Sequence, residues 1–221
     1  MKHVTADDLL ALNRISRLNF VNSCSGLKSA SLIATQSGAG ITNVAVFNSV
    51  IHLGSDPAML CFMLRPLTVP RHTYSNIKES KVLTINHIHN DIISKAHQTS
   101  ASYPKGVSEF EATGLQEEYL DEFPAPYVKE SRIKLGCSYV NEYPIEENGC
   151  VLMVVKIEHI YFEEDIQEDD MWLRLDKAKS VACIGLDGYA STSLIDRFAY
   201  ARPNKETMST TAMRTNRDQE V

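Results

Sequence analysis

Apolar residues recur along the chain with two different periods. Over residues 5–22, TADDLLALNRISRLNFVN, the residues Leu9, Leu12, Ile15, Leu18 and Val21 fall three apart and would lie along one side of a helix. Thr5 suits its N-cap, and Asp7 and Asp8 fall in a first turn where the helix dipole favours anions. From residue 28 the runs shorten to strand length. KSASLIAT (28–35) and ITNVAVFNSVIHL (41–53) read as strands joined by the Gly-rich turn QSGAG. AMLCFML (58–64) reads as a buried central strand and KVLTINHIH (81–89) as another. SRIKLGCSYVNEY (131–143) and CVLMVVKIEHIYF (150–162) are longer strands around a turn at EENG. SVACIGLDGYA (180–190) is a short strand or turn. RHTYSNIKES (71–80) and DIISKAHQTSA (91–101) read as helices. Closely spaced strands with hairpin turns and no β-α-β alternation predict an antiparallel barrel. The expected division is an N-terminal helix packed on the barrel (1–24), a barrel domain (25–203) and a disordered tail (204–221), whose composition shows no periodicity.

Composition narrows the classes. The 221 residues fit one domain large enough to bury its own core. A net charge of −6 argues against a general nucleic-acid binder or a binder of anionic membranes. No apolar run approaches the ~20 residues needed to span a bilayer, and the acids among the first ten residues do not suit a signal peptide. The five cysteines are odd in number, widely spaced and mostly within apolar runs. Reduced, buried thiols and a cytoplasmic setting follow as expectations.

Several motifs fail. GAGITN carries two of three Rossmann glycines, but the residues after it alternate as a strand does, so it reads as a hairpin turn. Walker A, G-x-S-x-G and H-E-x-x-H patterns are missing. His87 and His89 share a strand face with His97 nearby, yet a zinc site needs a further ligand and an orienting shell, so no metal is expected. Nothing local activates a cysteine.

Polar residues inside apolar runs are more informative. Thr42, Asn43, Asn48 and Ser49 interrupt 41–53; they either cap strand ends and face solvent, or meet a polar ligand at the sheet edge. By alternation Asn43, Ala45, Phe47 and Ser49 share one side, and Thr42, Val44, Val46 and Asn48 the other. Arg65, Arg71, His72 and Thr73 gather around the start of the 71–80 helix. Helix-terminal N–H groups with Arg and Thr donors there make an anion site; solvated loop arginines are the plainer alternative. Asn86 interrupts another strand.

ITNVAVFNSVIHLGSDPAMLCFMLRP, RHTYSNIKES, LTINHI, AHQTSASYPKGVSEFEATGL and APYVKESRIKLGC follow one another in an order that resembles the flavin reductase-like family, the FMN-binding split barrels. The likeness covers about residues 25–203. It implies a mainly β fold with peripheral helices, a six-stranded antiparallel Greek-key barrel acting as a homodimer, with FMN (or FAD) held non-covalently near the interface. Carried over by position, it implies that Asn43, Val44, Asn48 and Ser49 line the ribityl chain and ring edge, that Arg65, Arg71, His72 and Thr73 hold the phosphate, and that Asn86 and the QTSA segment with Ser100 close the site. Asn48-Ser49 stands where the family has Ser-Ser, and Arg71-His72-Thr73 where it has K/R-D-T. The implied reaction is hydride transfer from NAD(P)H to flavin and on to an acceptor, such as a monooxygenase partner. No catalytic residue is marked; Tyr189 and His159 are the candidates for a nicotinamide contact. A flavoredoxin-like electron carrier without NAD(P)H use, a haem-binding barrel using His52, His87 or His97, and a structural dimer are the competing readings.

Overall fold

A computed structural model describes residues 1–104 and 106–211. Two helices open the chain, α1 (Ala6–Ala11) and α2 (Arg14–Cys24). Thr5 caps α1 in a reciprocal capping box with Asp8. The single helix expected over 5–22 breaks at Leu12-Asn13, because the Asn13 side chain accepts the Ser16 N–H at 2.9 Å and so starts a new helix. Neither helix fully buries a side chain; of the expected apolar stripe Leu9 and Leu12 are half-buried and Ile15, Leu18 and Val21 exposed.

The strands and helices that follow are β1 (Lys28–Ser29), β2 (Ser31–Gln36), β3 (Thr42–Phe47), β4 (Ile51–Ser55), β5 (Ala58–Leu64), α3 (His72–Ser80), β6 (Val82–His87), α4 (Ile93–Gln98), α5 (Glu109–Thr113), β7 (Glu117–Glu118), β8 (Tyr127–Val128), β9 (Ile133–Ile145), β10 (Cys150–Phe162), β11 (Val181–Ile184) and β12 (Gly188–Ser191). Seven strands form one antiparallel sheet in the order β3-β2-β6-β9-β10-β5-β4. Its two edge strands, β3 and β4, are consecutive in the chain and joined only by residues 48–50. Four Cα steps span at most about 15 Å, so the edges must approach each other and the sheet curls into a barrel split at one seam. Ser49, in the link, continues the pairing of β4 with β5: its hydroxyl accepts from Met63 N at 3.1 Å. The rings of Phe47 and Phe62 meet edge-on at 5.4 Å.

The sheet has seven strands rather than six because the run 41–53 is two strands, not one. Asn48 and Ser49 are polar because they turn the chain at the seam. Smaller sheets, β1-β11-β12 and β7-β8, flank the barrel.

The barrel interior holds Ile33, Phe62, Ile77, Leu83, Ile85, Cys137 and Met153, all almost fully buried. Each large side chain of this kind contributes roughly 1.5–3 kcal/mol by leaving water. A second core on the outer face of β2 and β3 gathers Leu32, Ala34, Val44, Ala96, Phe110 and Cys183 under α4, α5 and β11. The cysteines are free; Cys61, Cys137 and Cys183 are buried and Cys24 is exposed.

Residues 204–211, placed in the expected tail, pair back on the chain instead. Ala199 N donates to Met208 O at 3.0 Å and Thr210 N to Arg197 O at 2.7 Å. The remainder of that expected tail, 212–221, lies outside the described residues. Among the described residues no helix is long and apolar enough to cross a membrane.

Candidate functional site

The loop after β5 delivers the chain to α3, whose start is chemically open. Arg71 is the N-cap residue with extended backbone and no side-chain cap bond. The first N–H groups of α3 therefore keep their positive end available. Arg71 Nε is buried and has no hydrogen-bond partner. A buried guanidinium nitrogen is expensive to leave unpaired, so this donor points to a partner beyond the described residues. Thr73, 5% exposed, receives a hydrogen bond from Asn43 Nδ2 at 3.1 Å, which ties the first turn of α3 to β3. Further along the helix, Asn76 Nδ2 donates to Thr35 Oγ1 at 3.0 Å, and Ile77 plugs the barrel end.

β3 is an edge strand, and its free edge is occupied in part. The Glu109 carboxylate, 6% exposed at the start of α5, accepts the Val44 N–H at 3.1 Å. Burial pushes this carboxyl above the usual range, partly offset by the N–H bonds and by the charge of His72. Because Val44 N points away from β2, antiparallel alternation turns the N–H and C=O of Val46 outward as well. Thr42 Oγ1 is bonded to Ser108 and Glu117. The free edge that remains runs from Val46 to the seam.

At that end Asn48 Nδ2 donates to Gly185 O at 3.1 Å and lies 4.0 Å from Cys183 Sγ. The hairpin β11-β12 thus closes over the seam. On β12, Tyr189 packs against the outer core, and its hydroxyl meets His97 Nδ1 at 3.2 Å, with the rings edge-on at 5.8 Å. Burial, with the nearby Cys183 and Asp187, pushes the Tyr189 phenol up to about 12, so it stays protonated as a donor.

The expected site residues therefore divide. Arg71, His72, Thr73 and Asn43 come together at the start of α3. Val44 and Asn48 lie on the outer face of β3 and Asn43 on the inner; Ser49 is engaged at the seam. Arg65 is exposed on the loop before α3 and makes no hydrogen bond or ion pair. Ser100 is exposed just beyond α4. Asn86 is placed otherwise than the sequence suggests. It is fully buried; Nδ2 donates to Leu32 O and Thr84 Oγ1, and Oδ1 accepts from Val128 N. Its amide fastens β8 onto the sheet and leaves the ligand set.

Sequence reasoning missed Glu109 and Val46. The Ser108-Glu109 pair at a helix start was the available signal for the first; the second is visible only once β3 is known to be an edge. Among the described residues no group of three or more His, Cys, Asp or Glu could hold a metal.

Residues 28–181 match the model of the flavin reductase like domain. The chain belongs to that family. A crystal structure of a candidate flavin reductase with a split barrel domain from Shewanella frigidimarina NCIMB 400 is 41% identical, covers 91% of this chain and 100% of its own, and superposes with a TM-score of 0.88. Two remoter structures show the same fold. Nitrilotriacetate monooxygenase component B from Bacillus cereus is 16% identical, covers 88% of this chain and 96% of its own, and has a TM-score of 0.77. The flavoredoxin of Desulfovibrio vulgaris (Miyazaki F) is 18% identical, covers 80% and 91%, and has a TM-score of 0.66. This flavin reductase-like domain is thus a mainly β split barrel, as its sequence pattern predicts.

Proposed function

We propose that this flavin reductase-like domain is an oxidoreductase that holds FMN non-covalently and uses NAD(P)H to reduce it. The observation that carries the reading is the buried, unpartnered Arg71 Nε beside the uncapped start of α3. A phosphate fits that donor set: Arg71 supplies charge-assisted hydrogen bonds, His72 and Thr73 flank it, and the helix N–H groups converge on it. Bound flavin would supply the redox chemistry, accepting a hydride from NAD(P)H and passing electrons to an acceptor.

The chain's own residues bind and orient. The outward N–H and C=O of Val46 offer a donor and an acceptor to the polar edge of a flat ring system. Asn48, held by Gly185, fixes the seam beside it, and the β11-β12 hairpin excludes water on that side. Glu109 keeps β3 in place by taking the Val44 N–H. Tyr189, backed by His97, places a protonated hydroxyl beside the same strand. No acid-base pair is needed for a hydride step. Homodimerisation, with the site near the interface, and an electron acceptor of the monooxygenase kind complete the proposal. The fold shared with a monooxygenase component B supports such a partner.

The test is equilibrium titration with FMN, FAD and riboflavin, followed by flavin fluorescence. Arg71→Ala should weaken FMN binding by roughly 10- to 100-fold, the loss of charge-assisted hydrogen bonds, and leave riboflavin binding nearly unchanged. Equal losses for both ligands, or none, would place the phosphate elsewhere.

A further inference from the structure

We propose that the chain carries a second small-molecule site, a cavity between the barrel mouth and the β1-β11-β12 sheet that takes a neutral six-membered ring bearing one hydrogen-bonding substituent. The cavity has a volume of about 170 Å³ and is walled by Ser29, Ser31, His87, Leu175, Ser180 and Ala182, among others. Apolar cavities of about 150 Å³ accept benzene, so a single ring fits and a flavin does not.

The polar groups on its walls fall into two sets. Some are already engaged: Ser29 Oγ donates to Val50 O at 2.7 Å, Thr192 Oγ1 to Ser180 O at 2.9 Å, and Lys28 Nζ to Asn22 O at 2.6 Å. Ser31 and Ser180 are different. They are 2% and 7% exposed, both line the cavity, and neither hydroxyl has a partner among the described residues. The imidazole of His87 likewise makes no hydrogen bond, and burial holds it neutral by pushing its pKa down to about 4. Two hydroxyls and a neutral imidazole are thus left facing the cavity, each able to donate and accept. Lys28 keeps its positive charge, which disfavours a cation, but it spends donors on the carbonyls of Asn22 and Gly185, and the other walls are neutral, so a charged ring would give up its hydration for little return. The remaining walls are largely Ala30, Leu175, Val181 and Ala182, which offer water few partners and suit the body of a ring. A phenol or an aryl carboxamide meets both requirements.

This site is separate from the flavin site. Ser31 pairs with both His87 and Phe47 across the sheet, so all three lie on its inner face, opposite Val44 and Val46. The inference therefore stands or falls without the flavin reading.

Phenol, benzamide and toluene are titrated into the full chain, and the His87 ring resonances are followed by NMR, with and without FMN. Phenol and benzamide should shift His87 saturably in both states, and toluene should bind more weakly. Ser180→Ala removes only the hydroxyl and should weaken phenol roughly three- to tenfold, the loss of one hydrogen bond. Ala182→Leu should abolish binding by filling the space; if it does not fold, Ser31→Ala takes its place with the weakening expected of Ser180→Ala. No saturable shift, or phenol affinity unchanged in Ser180→Ala and in the filling variant, would overturn the proposal and leave a water-filled recess.

Discussion

His87 gives the sharpest prediction about stability. Its imidazole sits at the end of β6 against the cavity, half-buried and with no hydrogen bond among the described residues, and burial lowers its pKa from 6.5 to about 4. The depressed value means that acid protonates the unfolded chain first, so protons favour unfolding. The full stability is present above about pH 6.5 and drains away as the pH falls toward 4. From the two values the loss is about 2 kcal/mol at pH 5 and about 3 kcal/mol at pH 4. The perturbation is His87→Phe, a ring of similar shape that does not titrate. Urea unfolding of both proteins at pH 7 and pH 5 gives a difference of differences in which the other titrating groups cancel. The parent should lose about 2 kcal/mol more than the variant on going to pH 5. Equal losses in the two proteins would show that His87 is not desolvated in the folded state, and would refute the reasoning.

Three further outcomes follow from the site. Asn86→Ala should lower stability by roughly 2–5 kcal/mol, because it strands the Val128 N–H and two buried acceptors; denaturant unfolding checks this, and FMN affinity of the folded protein should be unchanged. Glu109→Ala should speed hydrogen exchange of the Val44 amide and weaken flavin binding, while Glu109→Gln should retain both. Since burial raises the Glu109 carboxyl, its ionised form is the disfavoured one in the fold, so Glu109→Gln should be neutral or stabilising at pH 7 and lose that advantage in acid, as seen by thermal melts across pH.

Much of the barrel is written in local pattern. The hairpin at 36–40, the buried run 58–64, the helix at 72–80 and the long 133–162 hairpin follow from alternation and turn residues that act over a few positions. What local pattern could not show was where the sheet ends meet. Residues 41–53 alternate continuously, and only the closure of β3 on β4 across the barrel explains why Asn48 and Ser49 break them. Asn86 misled for a related reason. A buried amide in a strand looks the same whether it serves a ligand or a distant backbone, and here its partners, Leu32 and Val128, lie far away in sequence. The N-terminal stripe was a true helical signal, though a local cap at Asn13 splits it over two short helices. The helix start at Arg71, His72 and Thr73 was legible because helix-start chemistry is local; Glu109 was not, because its partner Val44 is brought to it only by folding.

The central claim is that the site holds a flavin that NAD(P)H reduces. The most direct test is the visible absorption spectrum of the protein loaded with FMN and freed of excess, before and after anaerobic NADH or NADPH. The account predicts a retained flavin band that bleaches with one of the two. A retained band that resists both would contradict the reductase and leave an electron carrier, and a colourless protein would contradict tight FMN binding itself.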